Sequence, residues 1–377
     1  MAFYNLYLCP MRKKLVAVVI TLFCWAISNA QVSYLKRPDL HDQVDSCLQH
    51  TYNFSFNAAR LFQKELARTT PDHPAPYFLE AMIIYWENFP LAPRDNESDR
   101  FEELMDKSIK IAERFIEVDS THLEGVFFDL FGRALKAMFW ADNGKEGKVL
   151  PDLRTMFRHT KEGFQLKEQF SEFYFSTGLY NYYIEAYPEA HPVYKPLVAF
   201  MDNGDKMLGL KQLNHSINHT VFLKVESILF MSIIQLKYEK DLNTAAIYAE
   251  RLFRDYPQNI FYQGHLVTIL LHQHRFHRVK EVMEEIKIQD DKYSEMVRAM
   301  ANAYMAEMEL KNDRLAGKLY LKTIELADSF GPFADQFEAI GYKGLSRLNE
   351  QKGLYSEARR YARKASKHTS YAFILDE

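Results

Sequence analysis

Hydrophobic side chains recur every three or four residues from Asp39 to the C-terminus, with polar side chains between them. This spacing gives each segment one apolar stripe when it is helical, whereas a half-buried strand needs strict alternation. Phe127, Phe131 and Leu135 form one such stripe. Short breaks rich in proline, glycine, asparagine or aspartate, such as 142–144, separate the stripes. The pattern predicts an all-α chain in which helices alternate with short loops.

A motif of small and apolar residues repeats through the C-terminal half. Its four copies are Ala245-Tyr248-Ala249-Leu252, Val279-Val282-Met283-Ile286, Ala316-Leu319-Tyr320-Thr323 and Ala358-Tyr361-Ala362-Ala365, which begin 34, 37 and 42 residues apart. A further copy, Ala59-Phe62-Gln63-Leu66, lies near the N-terminus. It is followed by Pro71 at the same spacing at which Pro257 follows the copy that begins at Ala245. A period of this length indicates a repeat architecture built from helix pairs.

The repeated motif resembles the second helix of the tetratricopeptide repeat (TPR). Ala245, Tyr248, Leu252 and Pro257 match the small, aromatic, apolar and helix-ending positions of that family. The small residue allows the two helices of a pair to approach closely, and the proline ends the second helix. The resemblance covers about residues 202 to 369. It implies a TPR-like α-solenoid of stacked antiparallel helix pairs forming a right-handed superhelix, with a concave groove and a binding function rather than a catalytic one.

The domain organisation follows from where the signature is strong. We expect TPR-like repeats with a C-terminal capping helix at 201–377, and degenerate helical hairpins at 31–200. One departure from the family lies in a first helix, where Ser232 and Ile233 stand at positions that the family fills with leucine and glycine. Helix crossing angles are therefore expected to differ from those of the family.

The N-terminal segment has the pattern of a secretory signal peptide. Positive charges at Arg12, Lys13 and Lys14 precede an apolar run at 15–27, and small residues follow at 28–30. We predict that residues 1–30 are cleaved, with Met11 as an alternative start and an uncleaved anchor as the other interpretation. No later segment is long and apolar enough for a transmembrane span. The expected location is periplasmic or extracellular, in a bacterial cell envelope.

Composition and charge narrow the partner. The chain of 377 residues is 47% hydrophobic and 26% charged, which excludes disorder as its main state. Loss of residues 1–30 moves the formal net charge from -3 to -6, and no strong basic patch remains. On this ground nucleic acid is excluded as a partner. Cys47 is then the sole cysteine, so an intramolecular disulfide is impossible.

The leading functional hypothesis is an exported, non-catalytic scaffold that binds a protein or peptide. If the family geometry holds, first-helix positions line the groove, and the candidates for partner binding are Phe230, Ile234, Lys237, Tyr238, Thr268 and His272. No catalytic residue, metal site or cofactor is predicted, because phosphate-binding glycine loops, nucleophile elbows and Cys-His pairs are all missing from the sequence.

Two alternatives use other residues. Ten aromatic residues between Phe164 and Tyr194 suit a glycan- or nutrient-binding envelope component, or else fill an irregular junction in the core. His215 and His219 have the spacing of a helical metal site, which would suit a metal-dependent enzyme, although their polar surroundings indicate a solvated loop. A methionine series at 296, 300, 305 and 308 suits an adaptable groove or core packing.

Overall fold

The computed structural model describes residues 37–93, 96–199, 201–285 and 291–376. The predicted signal peptide at 1–30 lies outside these ranges. In the first half, the α-helices are α1 Pro38–Tyr52, α2 Phe56–Thr69, α3 Ala75–Glu87, α4 Asn96–Val118, α5 Leu123–Asp142, α6 Leu150–Leu166, α7 Phe173–Ala190, α8 Lys195–Val198 and α9 Lys206–His219.

The second half continues in the same way. Its helices are α10 Lys224–Lys237, α11 Leu242–Asp255, α12 Ile260–His272, α13 Phe276–Glu285, α14 Lys292–Met308, α15 Asp313–Asp328, α16 Asp335–Gln351, α17 Tyr355–His368 and α18 Ala372–Leu375. Helices that are neighbours in sequence pack against each other, and the described residues contain no β-strand. The prediction of an all-α solenoid of stacked helix pairs is confirmed.

The repeated motif marks the second helix of each C-terminal pair, in α11, α13, α15 and α17. A small polar residue of the first helix contacts the carbonyl oxygen of the motif's alanine in three pairs: Cys47 Sγ to Ala59 O at 3.5 Å, Ser232 Oγ to Ala245 O at 2.8 Å, and Ser346 Oγ to Ala358 O at 2.8 Å. The alanines have no bulk to separate the helices, so these contacts are possible. Ser232, which departs from the family pattern, therefore joins its helix pair by a hydrogen bond.

Several loops begin the next helix through a capping side chain. Asp241 accepts hydrogen bonds from the backbone amides of Asn243 and Thr244, and Asn312 accepts one from the amide of Leu315. Amides in a first helical turn have no partner within the helix, so these side chains fix where α11 and α15 begin.

The loop predicted around His215 and His219 is wrong, since both residues lie in α9. Leu213 and Ile217 are buried at helical spacing, and the Asp205 side chain caps the helix by accepting from the amide of Leu208. The polar residues occupy the outward face of an amphipathic helix, which a count of polar residues alone does not distinguish from a loop.

Helices α7 and α9 cross closely at two glycines. A Cβ atom on Gly209 would lie 2.8 Å from the carbonyl oxygen of Gly178 and 2.8 Å from the backbone nitrogen of Tyr182. Backbone atoms cannot move aside as a side chain does, so the crossing requires glycine at this position.

The first helix pair packs against the middle of the solenoid instead of remaining at its end. The Asn259 side chain donates to the carbonyl oxygen of Tyr52 at 2.9 Å, and the amide of Gln258 donates to Asn53 Oδ1 at 3.2 Å. Phe89, after α3, lies 5.3 to 5.4 Å from the rings of three aromatic residues: Phe261, Tyr293 and Phe333. These contacts join the N-terminal helices to the second half of the chain. Within the described ranges, no helix is both long and apolar enough to cross a membrane.

Candidate ligand-binding cavity

The concave side of the solenoid contains a cavity of about 480 Å³ that is partly open to solvent. Its walls come mainly from α3, α5, α10, α12 and α16, and the chain after α17 contributes Thr369 and Tyr371. Each of these helices is the first helix of its pair and faces the inside of the solenoid. The volume lies within the range of about 300 to 1,000 Å³ that is usual for small-molecule sites.

Helix α10 runs along the cavity and presents a stripe of charged and apolar side chains to it. Glu226, Phe230, Ile233 and Lys237 line the space, at intervals of four, three and four residues. These intervals keep side chains on one face of a helix, and eleven residues rise about 16 Å. The stripe therefore has a carboxyl group at one end, apolar side chains in the middle and an amine at the other end.

Aromatic rings form much of the remaining wall. Trp86 is central to them, with its ring centroid 5.5 Å from that of Phe89, 5.8 Å from that of Tyr262 and 6.1 Å from that of Phe261. All four residues line the cavity. The α3 stripe around Trp86 places these rings against α12, so the aromatic wall joins the two halves of the chain.

Glu226 is the most unusual polar group in the wall. Tyr52 donates a hydrogen bond to its Oε1, and Oε2 has no hydrogen-bond partner among the described residues. Burial raises the pKa of Glu226 to about 8, because the charged form loses its hydration and no cation replaces it. The carboxyl group is therefore largely protonated at neutral pH when the cavity is empty.

Lys237 and Asp142 form the other polar end of the cavity. Burial lowers the pKa of Lys237 to about 8 and raises that of Asp142 to about 6, and each charge partly offsets the effect on the other. The Lys237 ammonium lies 4.6 Å from the ring centroid of Tyr371, and Tyr85 donates to Asp142 at 3.4 Å. Lys237 therefore already has a counter-charge and an aromatic face.

His265 is held neutral between these ends. Its Nε2 lies 2.8 Å from Ser232 Oγ, and burial together with the Lys237 charge lowers its pKa to about 3. A neutral imidazole of this kind offers a hydrogen bond to a ligand without adding charge. Among the described residues, the hydroxyl of Ser232 is the one nucleophile that the His265 ring contacts, and this hydroxyl is itself bonded to Ala245 O.

The six predicted binding residues separate into three groups. Phe230, Lys237 and Thr268 line the cavity. Ile234 is completely buried in the core, one residue away from the Ile233 that faces the cavity. The other two pack against the chain after α17, with Tyr238 5.8 Å from the Tyr371 ring and His272 5.0 Å from the Phe373 ring.

Residue-level prediction missed Glu226, Asp142 and the α3 aromatics. A signal was available for Glu226, because it is the one acidic residue of α10. Asp142 gave no such signal, since it stands in an Asp-Asn-Gly stretch that reads as an ordinary helix end.

The residues of the two alternative hypotheses lie elsewhere. Of the predicted glycan-binding aromatics, Phe170, Phe173, Phe175 and Tyr182 are buried in the core, as the filler interpretation expects. His215 and His219 stack at 4.0 Å on the outside of α9, and no group of three or more metal-ligating side chains occurs among the described residues. Three of the four methionines, Met296, Met300 and Met305, are buried in the core.

Comparison with known proteins gives little beyond the architecture. No family model matches the chain, and no curated protein matches it. Solved structures of a human IFIT1 dimer do match. The one with m7Gppp-AAAA is 12% identical, covers 90% of this chain and 96% of that chain, and has a TM-score of 0.33. The one with PPP-AAAA has the same identity and coverage and a TM-score of 0.36.

These matches correct one sequence-based prediction. Nucleic acid was excluded as a partner on the ground of net charge and the missing basic patch. The matched helical structures include ligands built from nucleotides, m7Gppp-AAAA and PPP-AAAA, so that exclusion is wrong. At these TM-scores the likeness says nothing about which ligand this chain binds.

Proposed function

We propose that this protein is an exported, non-catalytic scaffold that holds a peptide segment in its central cavity. The observation that carries the proposal is the α10 stripe, with Glu226 and Lys237 about 16 Å apart and apolar side chains between them. An extended chain advances about 3.3 Å per residue, so a segment of about five residues spans this distance. Its backbone amides and carbonyls can bond to the polar ends while its side chains contact the rings.

Export is supported by the charged, apolar and small segments at the N-terminus, which together have the order of a secretory signal. A non-catalytic role is supported by the chemistry of the cavity. His265 is held neutral with a pKa of about 3, Lys237 interacts with the Asp142 charge, and His368 is bonded to Asp335. Among the described residues, none of these groups is placed as a general base beside a free nucleophile, which acyl transfer would require.

The test is selection of binders from a random peptide library on the immobilised full chain, followed by affinity measurement with fluorescently labelled peptides. Ile233→Trp fills the cavity from α10, and Ile247→Trp adds the same ring at a position that is 67% exposed on α11. We expect the first variant to weaken binding at least about tenfold and the second to leave it unchanged. Circular dichroism checks that both variants are folded.

Two results contradict the proposal. One is a library from which no peptide binds the wild-type chain. The other is a set of selected peptides that bind Ile233→Trp as tightly as wild type, which would place their site outside the cavity.

A further inference from the structure

The cavity wall carries three carboxyl groups, one amine and two imidazoles. Asp142, Glu226 and Asp335 line it, against Lys237 and the histidines His265 and His368. Asp335 has its own partner, since His368 Nδ1 lies 2.8 Å from its Oδ1, and Asp142 interacts with Lys237. Glu226 is the acidic group of the wall for which the described residues supply no cation.

Aromatic residues surround this carboxyl group. Tyr52 donates to it, the Tyr256 ring lies 5.8 Å from that of Tyr52, and the Tyr262 ring lies 6.0 Å from that of Tyr256. Trp86 packs edge-on against Tyr52 and Tyr262, with ring centroids 5.8 Å apart in both cases. The faces of aromatic rings carry partial negative charge, so a carboxylate among such rings favours a cation.

The geometry points to an organic ammonium as the group that this cavity binds, with its charge at Glu226 and its apolar body along Trp86, Phe89 and Phe261. The inference uses the cavity of the proposed function and names the chemistry of its ligand. An anion has no proton to donate to Glu226 Oε2, and a purely apolar ligand would leave the same atom without a partner. An ammonium supplies both the missing charge and the missing donor.

The phenol groups that face Glu226 do not supply the positive charge that an ammonium would bring. Tyr52 comes from α1, Tyr256 from the loop before α12, and Tyr262 from α12; burial raises the pKa of Tyr256 and Tyr262 further above the neutral range. Because the pKa of the empty Glu226 is about 8, ammonium binding at neutral pH must release a proton from the carboxyl group. Proton release is therefore a readout that needs no mutation.

The experiment is isothermal titration calorimetry of the full chain with three probes of matched size: phenylbutylamine, phenylbutanol and phenylbutyrate. Glu226→Gln keeps an acceptor for the Tyr52 hydroxyl and removes the charge. Glu117→Gln makes the same change at an exposed site on α4, outside the cavity. Titrations in buffers of different ionisation enthalpy count the protons released.

We expect the amine to bind on the order of 10- to 100-fold more tightly than the alcohol, as a charge-assisted hydrogen bond provides. Glu226→Gln should remove this preference and Glu117→Gln should keep it. At about pH 7, close to one proton should leave per amine bound to wild type. Equal binding of amine and alcohol, tighter binding of the acid, or an amine preference that survives Glu226→Gln overturns the inference.

A second arm separates this inference from the proposed function and identifies the source of the ammonium. A library-selected peptide is compared with its N-acetylated form and with a form in which lysine is replaced by norleucine. A peptide that needs its amino terminus or its lysine supports both proposals. A peptide that binds Glu226→Gln equally and needs neither amine refutes the ammonium site alone. Glu226-dependent amine binding without any peptide binder refutes the peptide proposal alone.

Discussion

Glu226 should make the stability of this protein depend on pH in a direction opposite to that of most carboxyl groups. Its pKa is about 8 in the fold and 4.5 in an ordinary environment. The folded state therefore holds the proton more tightly than the unfolded chain. The resulting stability is fully present below about pH 4.5 and is lost as the pH rises through about 8.

The magnitude follows from linkage. Above both pKa values, the folded state is disfavoured by about 5 kcal/mol relative to a chain in which this group titrates normally. Between about pH 6 and about pH 9, the part that changes is about 3 kcal/mol. The glutamine of Glu226→Gln cannot ionise. The free energy of unfolding of the variant minus that of wild type should therefore increase by about 3 kcal/mol from about pH 6 to about pH 9.

The assay is urea denaturation of both chains, followed by circular dichroism at the two pH values without ligand. All other titrating groups are common to both chains, including Lys237, so the difference between them isolates Glu226. A difference that is the same at both pH values would refute the reasoning, because it would mean that the pKa of Glu226 is close to its unfolded value. A variant that loses stability relative to wild type at the higher pH would refute it too.

Two further predictions concern packing. The Glu172 carboxyl group accepts hydrogen bonds from the backbone amides of residues 221–223 at 2.7 to 3.1 Å. Glu172→Ala leaves these amides without a partner, so we expect it to lower the free energy of unfolding by about 3 kcal/mol in urea denaturation. A loss under about 1 kcal/mol would contradict this expectation. The new Cβ atom of Gly209→Ala would lie 2.8 Å from backbone atoms, so this variant should lower the free energy of unfolding by about 1 to 3 kcal/mol. The new Cβ atom of Gly317→Ala has a side-chain atom at 3.7 Å as its nearest neighbour, so this variant should raise the free energy of unfolding by about 0.5 to 1 kcal/mol. Thermal melting of the two glycine variants should therefore shift in opposite directions, and equal shifts would disprove the argument.

The fold was largely predictable because its determinants are local. Residues within one helix pair determine the apolar stripe of each helix. The same is true of the repeated motif, for example in the copies that begin at Ala245 and at Ala358. The same locality explains the success at the N-terminal copy, where Ala59 makes the same close contact as its counterparts. Capping by Asp241 likewise depends on residues within four consecutive positions, 241 to 244.

The site was less predictable, because first helices such as α10 are apolar on more than one face. Ile233 and Ile234 have the same chemistry, yet one lines the cavity and the other is buried in the core. One residue rotates the side chain by about 100° around a helix, and only tertiary packing decides which direction is inward. The contact between Tyr52 and Asn259 joins residues that are 207 positions apart, so no local pattern reports it.

The contact between Tyr52 and Asn259 also affects how the protein unfolds. In an open solenoid each repeat touches only its neighbours, so terminal repeats fray and the remainder survives as a shorter array. Here the first helix pair bonds to the loop before α12, and Phe89 packs against rings on both α12 and α14 as well as against Phe333. Separating these contacts exposes the aromatic rings that line the cavity. We therefore expect the chain to unfold as one cooperative unit whose halves cannot be trimmed independently.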